Sequence, residues 1–240
     1  MSVRNGLTSV YRGLIVVAVV AGILLQCGIG TVEFSLSSFR MFTTLSNLAV
    51  AVFYVVYVAA RGGQQRGANS YPSVRSPSHP IGWEAGRSSA RGGVSQGTAR
   101  VLGYFKFMIT LSIMLTGLVA HFMLRNLFVD MGSEAKAGLT LLHYVVPIMV
   151  VCDWIIFDEK GKTEWKMPPF AALFPIIYAT ITLIVAQFST AEDKYPYPFL
   201  NVDALGAGGV AINIVLLAIA FLAVGYAGVA LDRGLGNRHG

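Results

Sequence analysis

The chain has 240 residues, of which 55% are hydrophobic and only 12% charged, with a mean hydropathy of +0.63. Soluble domains carry about 25% charged residues, so a surface this poor in charge excludes a freely dispersed globular protein and calls for lipid around most of the molecule. The net charge of +6 does not point to nucleic acid, because the basic residues fall between apolar runs, and two cysteines, Cys27 and Cys152, are too few for a disulfide framework or a zinc site.

A bilayer core takes about 20 mostly apolar residues per helix. Six runs qualify, at residues 11–30, 41–60, 101–123, 138–157, 169–188 and 207–229. The first is too long for a signal-peptide core, lacks a small-x-small cleavage site and has five similar runs behind it, so it reads as a retained span. Residues 61–100 are rich in Gly, Ser and Arg, with almost no apolar periodicity, and read as a disordered basic loop. The expected fold is all-α: a polytopic membrane protein, with residues 1–240 forming a single transmembrane domain built as a bundle of six transmembrane helices.

Orientation follows from Lys and Arg. With the N-terminus in the cytoplasm, the inner side holds 14 of them, including six arginines of the 61–100 tract and Lys106. The outer side holds four: Arg40, Arg125, Lys136 and Lys194. Both termini and the basic loop are therefore expected in the cytoplasm, in a multi-pass protein of the cell (plasma) membrane.

Polar residues inside membrane helices are expensive and point to function. In this orientation, Thr43, Thr44, Ser46 and Asn47 of the second run lie one to two turns below the outer surface. His143 of the fourth run lies at the same level, and so does His121 near the end of the third. At a rise of ~1.5 Å per residue all fall within roughly 10 Å of the outer boundary. Thr43, Ser46 and Asn47 share one helical face, Arg40 continues it at the surface, and Thr44 points about 100° away.

A threonine hydroxyl is a weak nucleophile that needs a neighbouring base, commonly His. The oxyanion formed on attack needs preorganised donors in a dry site. Thr43 as nucleophile, His143 as base, and Ser46, Asn47, Arg40 or Thr44 as positioning groups would make such a site, at the depth of an acyl-chain carbonyl. The plainer readings are a Thr43 hydroxyl bonded to its own helix, a packing role for His143, and an interfacial role for His121. Asp153, near the inner end of the fourth run, is expected to pair with Lys160 or Lys162. YPYPFLN at 195–201 carries two prolines that prevent a regular helix. It is expected to cover the pocket mouth as a lid through Tyr195, Tyr197 and Phe199.

These residues carry a resemblance. RMFTTLSNLAVAVFY resembles the second helix of small bacterial six-span membrane proteins, LLHYVVPIMVVCDWIIF their fourth, and YPYPFLN their last outer loop. Those proteins look related to the androgen-induced and androgen-dependent TFPI-regulating protein family of membrane threonine hydrolases. The resemblance implies a Thr/His pair that cleaves fatty acid esters of hydroxy fatty acids. Its threonine falls on Thr43 or Thr44, with Thr43 preferred, and its histidine on His143. The basic loop and the sequence around His143 depart from the eukaryotic branch. Membrane lipid and an acyl-chain substrate are the expected partners, and no metal or organic cofactor is implied. Two alternatives remain: a b-type haem protein with His121 and His143 as axial ligands, and a non-catalytic lipid-binding or transport protein.

Overall fold

The computed structural model describes residues 3–28, 36–69, 96–128 and 131–237. All regular structure among them is helical, and six helices are long and apolar enough to cross a membrane. Helix α1 runs over Val3–Gln26. A 3-10 turn at Leu36–Arg40 leads into α2, Phe42–Asn69. Helix α3, Gln96–Val119, continues through a π turn at Ala120–Leu124. The fourth span joins α4, Ser133–Thr140, to α5, Val146–Phe157, through a second π turn at Leu141–Val145. Helix α6 covers Met167–Phe188 and α7 covers Val202–Gly236.

The spans lie where the apolar runs placed them; all six begin earlier or extend further at one end, while the first stops at Gln26, short of the expected residue 30. Of the tract expected to be a disordered loop, residues 61–69 continue α2 and residues 96–100 open α3, while residues 70–95 lie outside the described residues. Adding residues to a helix already nucleated by a membrane span costs little, even in a Gly-containing sequence. The sixth span starts before the expected residue 207. Asn201 caps it by accepting the Ala204 N–H at 3.1 Å, and the first turn breaks at Gly206, whose φ of 69° suits glycine.

Helix α3 is central, packing on α2, α5, α6 and α7, whereas α1 packs on α2, α4 and α5. Ile15, Val19, Val50, Tyr54, Ile113, Val146 and Val150 form the largest core cluster. Many large apolar side chains point outward, among them Val17, Val52, Ile148, Ile181 and Ile212. A soluble monomer rarely exposes so continuous an apolar surface, whereas a multi-pass membrane protein covers it with lipid.

A buried charge network ties one end of the bundle. Arg12 on α1 grips Asp153 with Nε at 2.7 Å and Nη2 at 3.1 Å, and Nη2 also reaches Asp158 at 3.0 Å. Lys106 joins both carboxylates, lying 2.7 Å from Asp153, and the Tyr54 hydroxyl donates to Asp153 at 2.9 Å. The expected partners of Asp153 are thereby corrected. Lys160 donates to the Trp154 carbonyl, and Lys162 lies 3.6 Å from Glu159. Asp153 faces into the bundle, where α1 and α3 supply the cations, and helix adjacency of that kind is not written in one segment's spacing.

Candidate functional site

At the other end of the bundle, Thr43 is the second residue of α2, and its side chain is buried. Its Oγ1 lies 3.0 Å from Nε2 of His143. The other ring nitrogen, Nδ1, is 3.0 Å from the Leu139 carbonyl, which can only accept. This network assigns the proton to Nδ1 and leaves Nε2 to accept the Thr43 hydroxyl proton. The imidazole and the carbonyl that orients it thus come from one stretch of the fourth span.

That stretch is irregular for a reason visible in the sequence. Pro147 has no N–H to offer the carbonyl four residues back, which belongs to His143, and its ring crowds that carbonyl. The helix widens into the π turn Leu141–Val145 just before it, and His143 sits in the middle. Such turns re-aim side chains. Helix α3 presses against the same turn through Gly117, where a Cβ would meet the His143 carbonyl oxygen at 2.9 Å.

Tyr197 completes the cluster. Its Oη accepts the backbone N–H of Thr43 at 3.2 Å and lies 3.3 Å from Thr43 Oγ1. The Thr43 N–H is one of the helix-start donors that α2 itself cannot satisfy. Having accepted that bond, Tyr197 still has a phenolic proton to donate. Burial pushes the Tyr197 phenol above its ordinary range, so it stays protonated.

Thr43 faces a cleft with about 790 Å³ of empty space, the open mouth included. The cleft lies between α2, α3, α6 and α7, and the 195–201 loop closes one side. Apart from Thr43, Thr116 and the hydroxyls of Tyr178 and Tyr197, the walls are apolar, including Leu115, Ile176, Leu217 and Phe221. Thr43 lines the cleft and His143 does not, so of the bonded pair it is the threonine that borders the space where a ligand would sit. Pockets that bind lipid-like molecules share this form, with apolar walls and a few placed polar groups.

The other expected site residues lie as follows. Asn47 Nδ2 donates to the Thr43 carbonyl at 2.8 Å and the Leu142 carbonyl at 3.2 Å, fastening α2 to the π turn. Ser46 lies 3.1 Å from the Thr43 carbonyl and 2.9 Å from the Thr116 hydroxyl. Neither Asn47 nor Ser46 lines the cleft, which corrects their expected role as oxyanion donors: the helical face they share with Thr43 is filled by α3 and the fourth span. Thr44 is fully buried away from the cleft, and its hydroxyl has no partner among the described residues. Arg40 is outside α2. It clamps Asp193 at 2.7 Å through both the carboxylate and the carbonyl, and its own carbonyl accepts from Tyr178 at 2.8 Å.

The lid residues divide. Phe199 lines the cleft and stacks on Tyr197 at 5.0 Å between ring centroids, but Tyr197 is a buried wall rather than a cover. Tyr195 turns away to Asp203 at 3.4 Å. His121 is exposed on the π turn of α3, beside Phe122 and Tyr144, and does not line the Thr43 cleft. With His121 outside and both His143 nitrogens engaged, the two imidazoles share no cavity, which removes the support for a bis-histidine haem site. The reading of the sequence missed Thr116, Tyr178 and the site role of Tyr197. Thr116 carried a signal, since it is a hydroxyl in an apolar span at the depth of Thr43.

Comparison with family models, curated proteins and solved structures found no match. The fold therefore defines the class alone, a multi-pass helical membrane protein. Its chemistry rests on the site.

Proposed function

We propose that the protein is an intramembrane hydrolase of lipid esters, with Thr43 as nucleophile and His143 as general base. The observation that carries this reading is the pairing of a cleft-lining threonine, through its hydroxyl, with an imidazole at 3.0 Å whose other nitrogen is already bound. Nucleophile, base and orienter are the three parts such catalysis needs. Thr43 Oγ attacks the ester carbonyl while His143 Nε2 takes its proton. Tyr197 donates its phenolic proton to the developing oxyanion. The alcohol leaves with the proton from His143, giving an acyl-Thr43 ester. Water attacks that ester with His143 again as base, and the acid departs as His143 returns the proton to the Thr43 oxygen.

Fatty acid esters of hydroxy fatty acids are the substrate class we favour, on the strength of the resemblance of residues 40–54 and 141–157, with the apolar cleft receiving the acyl chains. The basic-residue balance supports cytoplasmic termini in a plasma membrane, with the cleft towards the outer leaflet. Labelling with a fluorophosphonate probe tests the reading. Wild type should react, and Thr43→Ala and His143→Ala should not. Equal labelling of all three would overturn the assignment. A second reading, lipid binding without turnover, is favoured by one observation: among the described residues Tyr197 is the one donor identified for an oxyanion, because Ser46 and Asn47 do not line the cleft.

A further inference from the structure

A side cleft, with about 510 Å³ of empty space including its open side, lies next to the Thr43 cleft between α3 and α7. Its walls carry only apolar side chains. Four of them, Leu115, Val119, Leu217 and Phe221, also line the Thr43 cleft, so the two spaces adjoin at those side chains. Leu115, Val119 and Leu217 are half-buried, and side chains outside a closed core change rotamer quickly.

Along α7 the Thr43 cleft starts at Ile214 and the side cleft ends at Val224. The stretch between them measures about 15 Å at a rise of ~1.5 Å per residue. That is half of the ~30 Å hydrocarbon core of a bilayer, the depth that one lipid chain fills. Leu118, Phe122 and Ala220 line the side cleft and are exposed, so the groove lies open along one side of the bundle.

We propose that the side cleft seats the tail of the acyl chain whose carbonyl stands at Thr43. The assignment rests on Thr43 being the residue that meets the ester, and it adds the residues that select the chain. The substrate is then a long-chain acyl ester that keeps its tail in the open groove while its carbonyl reaches Thr43 and Tyr197. Lipid tails are as apolar as the groove, so leaving the bilayer brings no hydrophobic gain and the selection comes from close packing.

The test is retention of two methyl ketones, with octyl and hexadecyl tails at equal mole fraction in lipid nanodiscs, read by native mass spectrometry of the full chain. A ketone offers a carbonyl to Thr43 and Tyr197 and has no ester to cleave. Wild type should retain the long ketone about tenfold over the short one, a ratio that roughly ten extra carbon contacts supply. Ala220→Trp and Leu118→Trp fill the side cleft from opposite walls at exposed positions, where folding is not at stake, and each should abolish the preference. Ile219→Trp, exposed and lining neither cleft, should keep it. Equal retention of the two ketones by wild type, an unchanged preference in either filled variant, or its loss in Ile219→Trp would overturn the tail seat. Hydrolysis of the matching methyl esters by wild type, followed in parallel, separates this from the reaction at Thr43. Hydrolysis with equal ketone retention removes the tail seat alone, whereas a clear chain preference without hydrolysis removes Thr43 as nucleophile and leaves the tail seat standing.

Discussion

Thr43 and His143 stand 100 positions apart in the chain, yet their reactive atoms lie 3.0 Å apart, because the start of α2 meets a proline-induced π turn in the fourth span. Asn47 holds that meeting in place from α2, and Gly117 lets α3 close over it.

Tyr197→Phe removes the phenolic donor and keeps the ring stacked on Phe199. Losing one oxyanion donor lowers kcat by about 10²–10³, and a loss of that order is expected in steady-state ester hydrolysis with the fold intact by circular dichroism. Because burial raises the Tyr197 pKa, the donor persists as pH rises through the range where exposed tyrosines ionise. Wild-type activity should therefore show no alkaline fall from Tyr197 near pH ~10. Full activity in Tyr197→Phe would remove the residue from the mechanism.

Thr44→Val separates the two threonines. The Thr44 hydroxyl is buried and has no partner among the described residues, so an isosteric apolar replacement should leave thermal stability equal or higher. Turnover should be kept. Loss of hydrolysis in Thr44→Val with retention in Thr43→Val would transfer the nucleophile by one position.

Gly117→Ala places a methyl group 2.9 Å from the His143 carbonyl oxygen. Overpacking of this kind costs about 1–3 kcal/mol, and the shift falls on the proposed Thr43–His143 pair. Both melting temperature in detergent and turnover should drop. A variant with wild-type values for both would show that α3 does not brace the π turn.

Asp153→Ala leaves Arg12 and Lys106 facing a buried gap. Removing one partner of such a network costs about 3–5 kcal/mol, read as a lower melting temperature or loss of folded material. Arg12→Ala should behave alike. A change of only a few tenths in either would mean that water reaches this end of the bundle freely.

The membrane spans were legible because bilayer thickness sets the length of an apolar run, whatever its neighbours do. Depth was legible too, since rise per residue puts Thr43 and His143 at one level. Lateral arrangement was not. Helices apolar nearly all round give little indication of which face meets which neighbour, so Arg12 could not be matched to Asp153, nor the face of Ser46 and Asn47 to α3. Side-chain direction failed where the backbone is irregular. His121 turns outward on one π turn and His143 inward on the other. Tyr197 sits in a non-helical loop, where no periodicity says that its hydroxyl would reach the first turn of α2.

The most direct measurement is the rate of hydrolysis of a hydroxy-fatty-acid ester by Thr43→Ala, His143→Ala and the double variant. Groups that act as one unit give strongly non-additive losses, and a positioned base is worth about 10²–10⁴. Each single variant should lose activity by at least about 10², and the double variant should be no slower than the worse of the two. Turnover near wild type in either single variant, or losses that multiply in the double, would contradict a Thr43–His143 catalytic pair.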